Sequence, residues 1–426
     1  MLVAAWLKIA LTLLPSAATA TMTTMAMSAT IRPYSTAVGS GSSVRLCFLC
    51  SSLPAPYPSY GVRGISRTGG AVVTLRDALR GRDNGLNLVR LFLAGLVVVA
   101  HSWLIGGWRG NSFIGSLGPW AVYGFFAISG YLIAGSRLRL GWVPFITRRA
   151  ARILPGYWAC LLLTAFGAAP LLAVARGTSF DAVSAVTFVR NNWWLWVSQQ
   201  TIGNTLESAP VTWTINGSLW TLPHEALAYV LAGLVLGSAI FRQRLVVSST
   251  LVFASVVGAH ALAVLSGLPH GGQVSLSLGG FFTAGMLLYA VSDRLLVSWR
   301  AVTVATTLVA IFGVVAPSVE LLAFPLASLL LLCGAVLPVH WGSKNDYSYG
   351  AYIYAFPAQQ LLAGFGMNRF GPWVFTLMSF VLLAPVAVLS WWLVEQPALR
   401  LAHRQRVQTP RPESLVAALD VTESQV

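Results

Sequence analysis

Residues 87–103 read NLVRLFLAGLVVVAHSW, an apolar run with a single charged residue, Arg90, and this kind of stretch decides the fold. Across all 426 residues, 56% are hydrophobic and only 9% are charged, and the mean hydropathy is +0.72. A soluble domain carries about 25% charged residues. Too few polar side chains remain to cover a water-soluble globule. The composition therefore excludes a soluble enzyme, a disordered chain and a fibrous repeat, and it predicts a polytopic membrane protein.

Apolar segments of similar length recur from residue 86 onward. Because roughly 20 apolar residues cross the hydrocarbon core of a bilayer, the pattern predicts an all-α bundle of about ten transmembrane helices. The predicted segments are 86–106, 117–136, 153–174, 217–240, 245–266, 274–292, 301–317, 321–339, 347–366 and 373–395.

The two ends of the chain differ from this transmembrane domain, which occupies residues 84–400. Residues 1–83 form a low-complexity N-terminal extension that begins like a targeting segment or else lies upstream of the true start. In either case we expect the extension to be dispensable for chemistry. Residues 401–426 are expected to form a cytoplasmic tail.

Positive charge is distributed unevenly between the predicted connections. From Arg76 onward, alternate sets of connections hold 18 and 4 of the Lys and Arg residues. Because cytoplasmic loops are enriched in these residues, both ends of the bundle are predicted to lie in the cytoplasm. The same bias accounts for the net charge of +15, so the expected partner is the lipid bilayer and no nucleic-acid partner is expected.

Few ionisable side chains lie inside the apolar segments, and such residues commonly mark function. Arg90 and His101 are eleven residues apart on the first predicted helix, which is close to three turns, so they share a face about 16 Å apart. Glu225, on the fourth predicted helix, is expected at a depth similar to that of His101. Since a carboxylate raises the basicity of a neighbouring imidazole, the two are predicted to pair; a structural, hydrogen-bonded His is the alternative.

Metal binding is not expected. The six His residues are not placed at the spacing of metal ligands.

Five further stretches join the first one in forming a recognisable set. They are FFAISGYLI (125–133), ITRRAARILPGYW (146–158), NGSLWTLPHEALAYV (216–230), SYGAYIYAFP (348–357) and LVEQPALR (393–400). In this order, and over about residues 84–400, the set resembles the acyltransferase-3 family of integral membrane O-acyltransferases.

The resemblance implies an acyltransferase that moves an acyl group, usually acetyl from acetyl-CoA, to a hydroxyl of a cell-surface carbohydrate or glycolipid. It implies a multi-pass protein of the plasma (inner) membrane, with acyl-CoA as co-substrate and no permanently bound cofactor. Lipopolysaccharide and exopolysaccharide are acceptors of the implied kind. Some members carry a C-terminal hydrolase-like domain for the final transfer. This chain ends about 30 residues after the last predicted helix, so we expect it to finish the transfer itself or to use a separate extracytoplasmic partner.

The resemblance also implies roles for residues at the two ends of the bundle. Arg guanidinium groups bind phosphate bidentately, so Arg90, Arg149 and Arg152 are candidates for binding the acyl-CoA donor; a simple topology signal is the alternative. Asn216 and Trp220 are expected to shape the outer part of the cavity, where the acceptor binds.

The catalytic candidates implied by the resemblance are His101 and Glu225. His101 would accept the proton of the acceptor hydroxyl or carry the acyl group, and Glu225 would orient its ring. The family often has a second His where this chain has Ala355, which leaves His101 as the main candidate for the base.

A secondary transporter or a lipid-linked sugar flippase remains an alternative function, because intramembrane His and Glu residues also serve proton relays. Such transporters commonly contain internal repeats. The two halves of this chain share no Arg–His or Trp–Glu pattern, which favours the enzyme.

We predict the topology from the charge asymmetry. Reporter fusions after residue 200 are expected to report an external location, and fusions after residue 410 a cytoplasmic one, because the excess of Lys and Arg stays inside. Alkaline phosphatase and green fluorescent protein fusions measure this directly. The opposite pair of signals would contradict the assignment.

Overall fold

A computed structural model of the chain describes residues 73–81, 83–108, 111–207, 209–315, 319–337 and 345–404. These residues form helices and connecting loops, with one isolated bridge between Thr74 and Leu296 and no extended strand in this part of the chain. The all-α prediction is therefore confirmed. Most of the predicted N-terminal extension and of the predicted tail lies outside the described residues.

The helices vary widely in length. In chain order they are α1 (Leu75–Ala78), α2 (Leu86–Ile105), α3 (Ser112–Arg139), α4 (Trp142–Leu163), α5 (Ala169–Arg176), α6 (Ala182–Asn192), α7 (Leu222–Val235), α8 (Ala239–Gln243), α9 (Leu245–Leu265), α10 (His270–Val291), α11 (Trp299–Val315), α12 (Ala323–Val336), α13 (Ser348–Gly364), α14 (Pro372–Ser390) and α15 (Gln396–Arg404).

Short turns of other helical types extend several of these helices. Two π-helical turns, Thr164–Ala168 and Trp391–Glu395, connect α4 to α5 and α14 to α15. Two 3₁₀ turns, Leu219–Thr221 and Val319–Leu322, lead into α7 and α12, and a third, Met367–Phe370, precedes α14.

Seven helical segments of the described chain are long and apolar enough to cross a membrane. They are Leu86–Ile105, Ser112–Arg139, Trp142–Arg176, Leu245–Leu265, His270–Val291, Val319–Val336 and Pro372–His403. Leu219–Val235 and Trp299–Val314 are shorter apolar helices. The chain is thus a multi-pass helical membrane protein, while the number of ten helices and their orientation stay predictions.

The predicted start of the third transmembrane helix, residue 153, is wrong, and the error concerns two candidate site residues. The sequence predicted a connection up to residue 152, because the stretch is rich in Arg, but α4 already begins at Trp142. Arg149 and Arg152 therefore lie on a helix that packs against α7 and the C-terminal α15. Carboxylates from distant parts of the chain allow Arg152 to be mostly buried.

The closest helix packing joins α3 and α10. A Cβ atom at Gly130 would lie 1.9 Å from the Phe282 carbonyl oxygen, and one at Gly285 would lie 2.0 Å from the Ala127 carbonyl oxygen. Small residues allow such backbone approach between helices in a membrane. The two glycines therefore allow α3 and α10 to pack backbone against backbone. Helix α2 packs against α3 as well.

Helix α13 lies at the centre of the other half of the bundle. It contacts α2, α4, α5 and α14, and most of its residues are buried. The residues near its beginning line the cavity described below, and Gln359 and Gln360 lie towards its other end.

We predict that Gly285→Ala disrupts the bundle, whereas Gly258→Ala does not. The new methyl group at 285 would overlap a backbone oxygen, which cannot move aside, while Gly258 has no heavy atom within 4 Å of the corresponding position. Overpacking of this kind costs about 1–3 kcal/mol or more. Detergent-solubilised yield and the midpoint of thermal unfolding measure the effect. Equal midpoints for the two variants would contradict the importance of this close contact between α3 and α10.

Candidate active site

A cavity of about 520 Å³, including its open side, lies between α2, α3, α4, α7 and α13. One wall is apolar and is formed by Val122, Phe125 and Phe126 on α3. The polar side chains that line the cavity are Arg90, Ser129, Arg152, Thr221, Glu225, Ser348, Tyr349 and Tyr352. A cavity that combines an apolar wall with converging charged groups is the arrangement expected of a substrate site.

Two of the predicted arginines share one carboxylate. Arg90 Nη1 lies 2.5 Å and Arg152 Nη2 lies 2.6 Å from the same oxygen of Asp346, Oδ2. The other oxygen, Oδ1, accepts hydrogen bonds from the backbone N–H and the hydroxyl of Ser348, at 3.2 and 2.5 Å. Buried charges persist only when they are paired and hydrogen-bonded. Asp346 therefore holds both guanidinium groups at the cavity.

Asp346 is charged at neutral pH. It lies in the loop before α13, where burial raises the pKa of its carboxyl group. The guanidinium groups of Arg152 and Arg90 and the hydrogen bonds from Ser348 outweigh burial and lower this pKa to about 2. The carboxylate is consequently a permanent anchor and not a proton donor near pH 7.

Glu395 supplies a second carboxyl group beside Arg152. Its Oε2 atom is 3.6 Å from Arg152 Nη1, and its Oε1 atom accepts a hydrogen bond of 3.0 Å from the Ser390 hydroxyl. The residue is only 1% exposed and ends the π-helical turn Trp391–Glu395. Turns of this type often occur at functional sites. Arg152 is thus contacted by two buried carboxyl groups, those of Asp346 and Glu395.

Arg149 differs from the other two arginines in having no carboxylate partner. Among the described residues it makes no ion pair, and its buried Nε atom has no hydrogen-bond partner. Its guanidinium carbon lies 5.9 Å from the centre of the Tyr229 ring. The Tyr229 hydroxyl donates a hydrogen bond to Glu225, which lines the cavity. Arg149 is thus an available cation beside the cavity.

The predicted contact between Glu225 and His101 does not form among the described residues. Glu225 accepts its hydrogen bond from Tyr229 and lies with Arg90 and Arg152 at the cavity, which His101 does not line. The prediction erred in depth. The His101 ring and Gly217 both lie against the Phe356 ring, so they are at a similar level in the bundle. Glu225 follows Gly217 by eight residues, roughly two turns, and therefore lies at a different depth from His101.

The imidazole of His101 is held by packing and not by a polar partner. Its ring lies edge-on to Phe356, with 5.0 Å between ring centres. Its buried Nδ1 atom has no hydrogen-bond partner. The ring therefore retains the capacity to bind or exchange a proton with a ligand.

Asn216 and Trp220 occupy structural positions and do not line the cavity. The Asn216 amide donates to the Ile353 carbonyl oxygen at 3.0 Å, and its oxygen accepts from the Ser218 backbone N–H at 3.1 Å. The Trp220 carbonyl oxygen lies 3.1 Å from His224 Nδ1. Thr221, which follows them, does line the cavity, and its hydroxyl is 2.8 Å from that of Tyr352.

Sequence reasoning missed Asp346 and Glu395. The chain has only 12 acidic residues, so a carboxylate two positions before SYGAYIYAFP and another inside LVEQPALR were detectable signals. The sequence did not reveal which residues they contact. Arg152 and Arg90 are 194 and 256 residues away from Asp346 along the chain.

Comparison with known proteins identifies the family of the chain. A family model described as an acyltransferase domain, acyltransferase-3, matches residues 83–395. An O-acetyl transferase of Shigella phage Sf6 is 30% identical over 341 residues, which cover 74% of this chain and 96% of the relative. Nodulation protein 10 of Rhizobium leguminosarum bv. viciae is 24% identical over 75% of this chain and 94% of that protein. No solved structure matches the chain.

The family match includes all the residues that line the cavity and the two buried carboxyl groups, Asp346 and Glu395. It favours an enzyme over the transporter alternative. The chain belongs to the acyltransferase-3 family and is a membrane O-acyltransferase.

Proposed function

We propose that the protein transfers an acetyl group from acetyl-CoA, bound at the Arg149 side of the cavity, to a hydroxyl of a cell-surface carbohydrate or glycolipid. The observation that carries the proposal is the contrast between Arg149, which makes no ion pair among the described residues, and Arg90 and Arg152, which both pair with Asp346. An unpaired guanidinium beside a cavity is suited to binding phosphate. The acetyl group is proposed because the Shigella phage Sf6 relative is named an O-acetyl transferase.

The paired arginines have a positioning role in this proposal. Arg90 and Arg152 line the cavity, and their ion pairs with Asp346 fix the guanidinium groups before a ligand arrives. Groups that are already oriented need no reorganisation when the donor binds. Tyr349, whose hydroxyl donates to the Ile153 carbonyl oxygen at 2.7 Å, and Tyr352 limit the width of the cavity.

His101 is the proposed general base. It accepts the proton of the acceptor hydroxyl as the hydroxyl oxygen forms a bond to the thioester carbonyl carbon. The tetrahedral intermediate then breaks its carbon–sulfur bond, and the departing CoA thiolate takes the proton from the imidazolium ring. Proton, acyl group and electrons balance without another reactant. Since Arg90 and His101 are separated by about 16 Å along α2, the neutral pantetheine arm of the donor spans the interval between them.

The acceptor is expected to approach from the end of the bundle opposite Asp346, at the level of His101 and Gly217. The site of the proposed reaction therefore lies within the membrane, in the plasma (inner) membrane if the acceptor is a glycan in assembly. The purified chain is assayed with acetyl-CoA and an acceptor, and with no other protein. Acetylation of the acceptor in this assay would show that no separate extracytoplasmic partner is needed.

We predict that Arg149→Ala raises the KM for acetyl-CoA at least tenfold, because it removes the unpaired cation. Arg149→Lys should restore donor binding only in part, since Lys lacks the bidentate fork. Arg300→Ala is the control, because it removes an exposed positive charge on the same predicted side without touching the cavity. Steady-state kinetics with radiolabelled acetyl-CoA measure the effect. A wild-type KM in Arg149→Ala would identify this residue as a topology signal only.

We predict that His101→Ala lowers acetyl transfer by about 10²- to 10⁴-fold, the usual range for loss of a general base. Donor binding should persist. His224→Gln is the matched control, because His224 is also intramembrane but its ring nitrogens are bonded to Trp220 and Ser275.

The measured quantity is acetylated glycan per unit of membrane-inserted protein. If His101→Ala retains more than about a tenth of wild-type turnover, well outside the general-base range, His101 is structural. Loss of activity in His224→Gln with activity retained in His101→Ala would assign the base to His224.

A further inference from the structure

Four buried polar atoms without a hydrogen-bond partner belong to residues that contact Phe356, adjoin a contacting residue or lie within four positions of it on α13. They are His101 Nδ1, Ser218 Oγ, Gln359 Oε1 and Gln360 Oε1. The two glutamines are fully buried, and Ser218 is 1% exposed. Of these residues, the sequence singled out only His101.

Contacts with the Phe356 ring place these residues near one another. The His101 ring lies edge-on to it at 5.0 Å, and a Cβ atom at Gly217, the residue before Ser218, would lie 2.6 Å from it. Gln359 and Gln360 follow Phe356 by three and four residues on α13, so they project from the same face of the helix.

The amide nitrogens of both glutamines already donate hydrogen bonds, so the atoms without a partner can be identified. Gln359 Nε2 donates to the Val98 carbonyl oxygen and to the Ser102 hydroxyl, both at 2.8 Å. Gln360 Nε2 donates to the carbonyl oxygens of Val211 and Thr214, at 3.1 and 2.9 Å. The unpaired atoms are therefore the amide oxygens, which can only accept hydrogen bonds.

This set of free groups selects a particular ligand chemistry. A buried polar atom without a partner costs free energy, so several beside one imidazole indicate that a ligand supplies the missing partners. Two amide oxygens require donors, and a serine hydroxyl can either donate or accept. A carbohydrate, with several adjacent hydroxyl groups, satisfies all of them. A phosphate does not, because its oxygens and the amide oxygens are all acceptors.

We propose that Ser218, Gln359 and Gln360 bind the hydroxyl groups of the acceptor carbohydrate and thereby hold the reacting hydroxyl against His101. The inference rests on the proposed function and names the acceptor subsite of the same reaction. Gln360 follows Ser348 by twelve residues, which is about 18 Å along α13. The acceptor thus binds at the opposite end of α13 from the arginines.

Ser218→Ala provides the cleanest test. The hydroxyl makes no hydrogen bond in the structure, whereas the backbone N–H that bonds to Asn216 is kept. Removing an unpaired buried hydroxyl should leave thermal stability unchanged or raise it. Loss of one ligand hydrogen bond should raise the acceptor KM roughly three- to tenfold, with the acetyl-CoA KM unchanged.

Ser249→Ala is the matched control. Ser249 on α9 also has a buried, unpaired hydroxyl and is 2% exposed, but it does not pack on Phe356. It should leave both KM values at the wild-type level. Gln359→Met and Gln360→Met are expected to raise the acceptor KM further and to lower stability, because their amide nitrogens support α2 and residues 211–214.

The full chain is assayed in membrane vesicles with radiolabelled acetyl-CoA and three soluble probes, the methyl glycosides of rhamnose, glucose and N-acetylglucosamine. The fastest wild-type acceptor is titrated against each variant. A raised acceptor KM in Ser218→Ala, with unchanged donor KM and unfolding midpoint, supports the subsite. A wild-type acceptor KM in folded Ser218→Ala and Gln360→Met overturns it. A wild type that acetylates neither these probes nor membrane glycans contradicts the proposed function itself, and the subsite with it.

Discussion

The structure depends on the pairing of two arginines with one aspartate inside an apolar bundle. A guanidinium group without a counter-ion is costly in a membrane. Arg90 on α2 and Arg152 on α4 both contact the same oxygen of Asp346, which lies two residues before the start of α13. Three segments that are far apart in the sequence must therefore meet at one point. The cavity lies where they meet, so the same interaction that permits burial of the arginines also forms the site.

Helix α13 separates two kinds of polar environment. Near its beginning, Asp346 pairs with Arg90 and Arg152, and Arg149 adds a cation that makes no ion pair in the described part of the chain. Around Gln359 and Gln360 the polar groups are neutral and mostly accept hydrogen bonds. Charged groups favour an anionic ligand, and neutral acceptors favour hydroxyl groups. The division of α13 thus matches the division of the proposed reaction between a charged donor and a neutral acceptor.

The sequence predicted what depends on local information. The apolar run at 86–106 corresponds to Leu86–Ile105, and the run at 274–292 to His270–Val291, because the length of a hydrophobic segment is a local property. Prediction failed where a distant partner decides. The Arg-rich stretch before residue 153 resembled a loop, since its helical burial requires Asp346, which is 194 residues from Arg152. Glu225 was assigned to His101 because depth estimates cannot show that Tyr229 already binds it.

The π-helical turn Trp391–Glu395 has a consequence for how this family can vary in length. Such a turn holds one residue more than the α-helical path through the same rise. Deleting one residue within it would therefore restore a regular helix while α14 and α15 keep nearly the same phase, because the extra residue is absorbed inside the turn. Glu395, 1% exposed beside Arg152, would keep its partner. A deletion in the regular part of α14 would instead rotate everything that follows by about 100°, so a change of one residue in length is tolerated at the π-helical turn and not in the helices beside it.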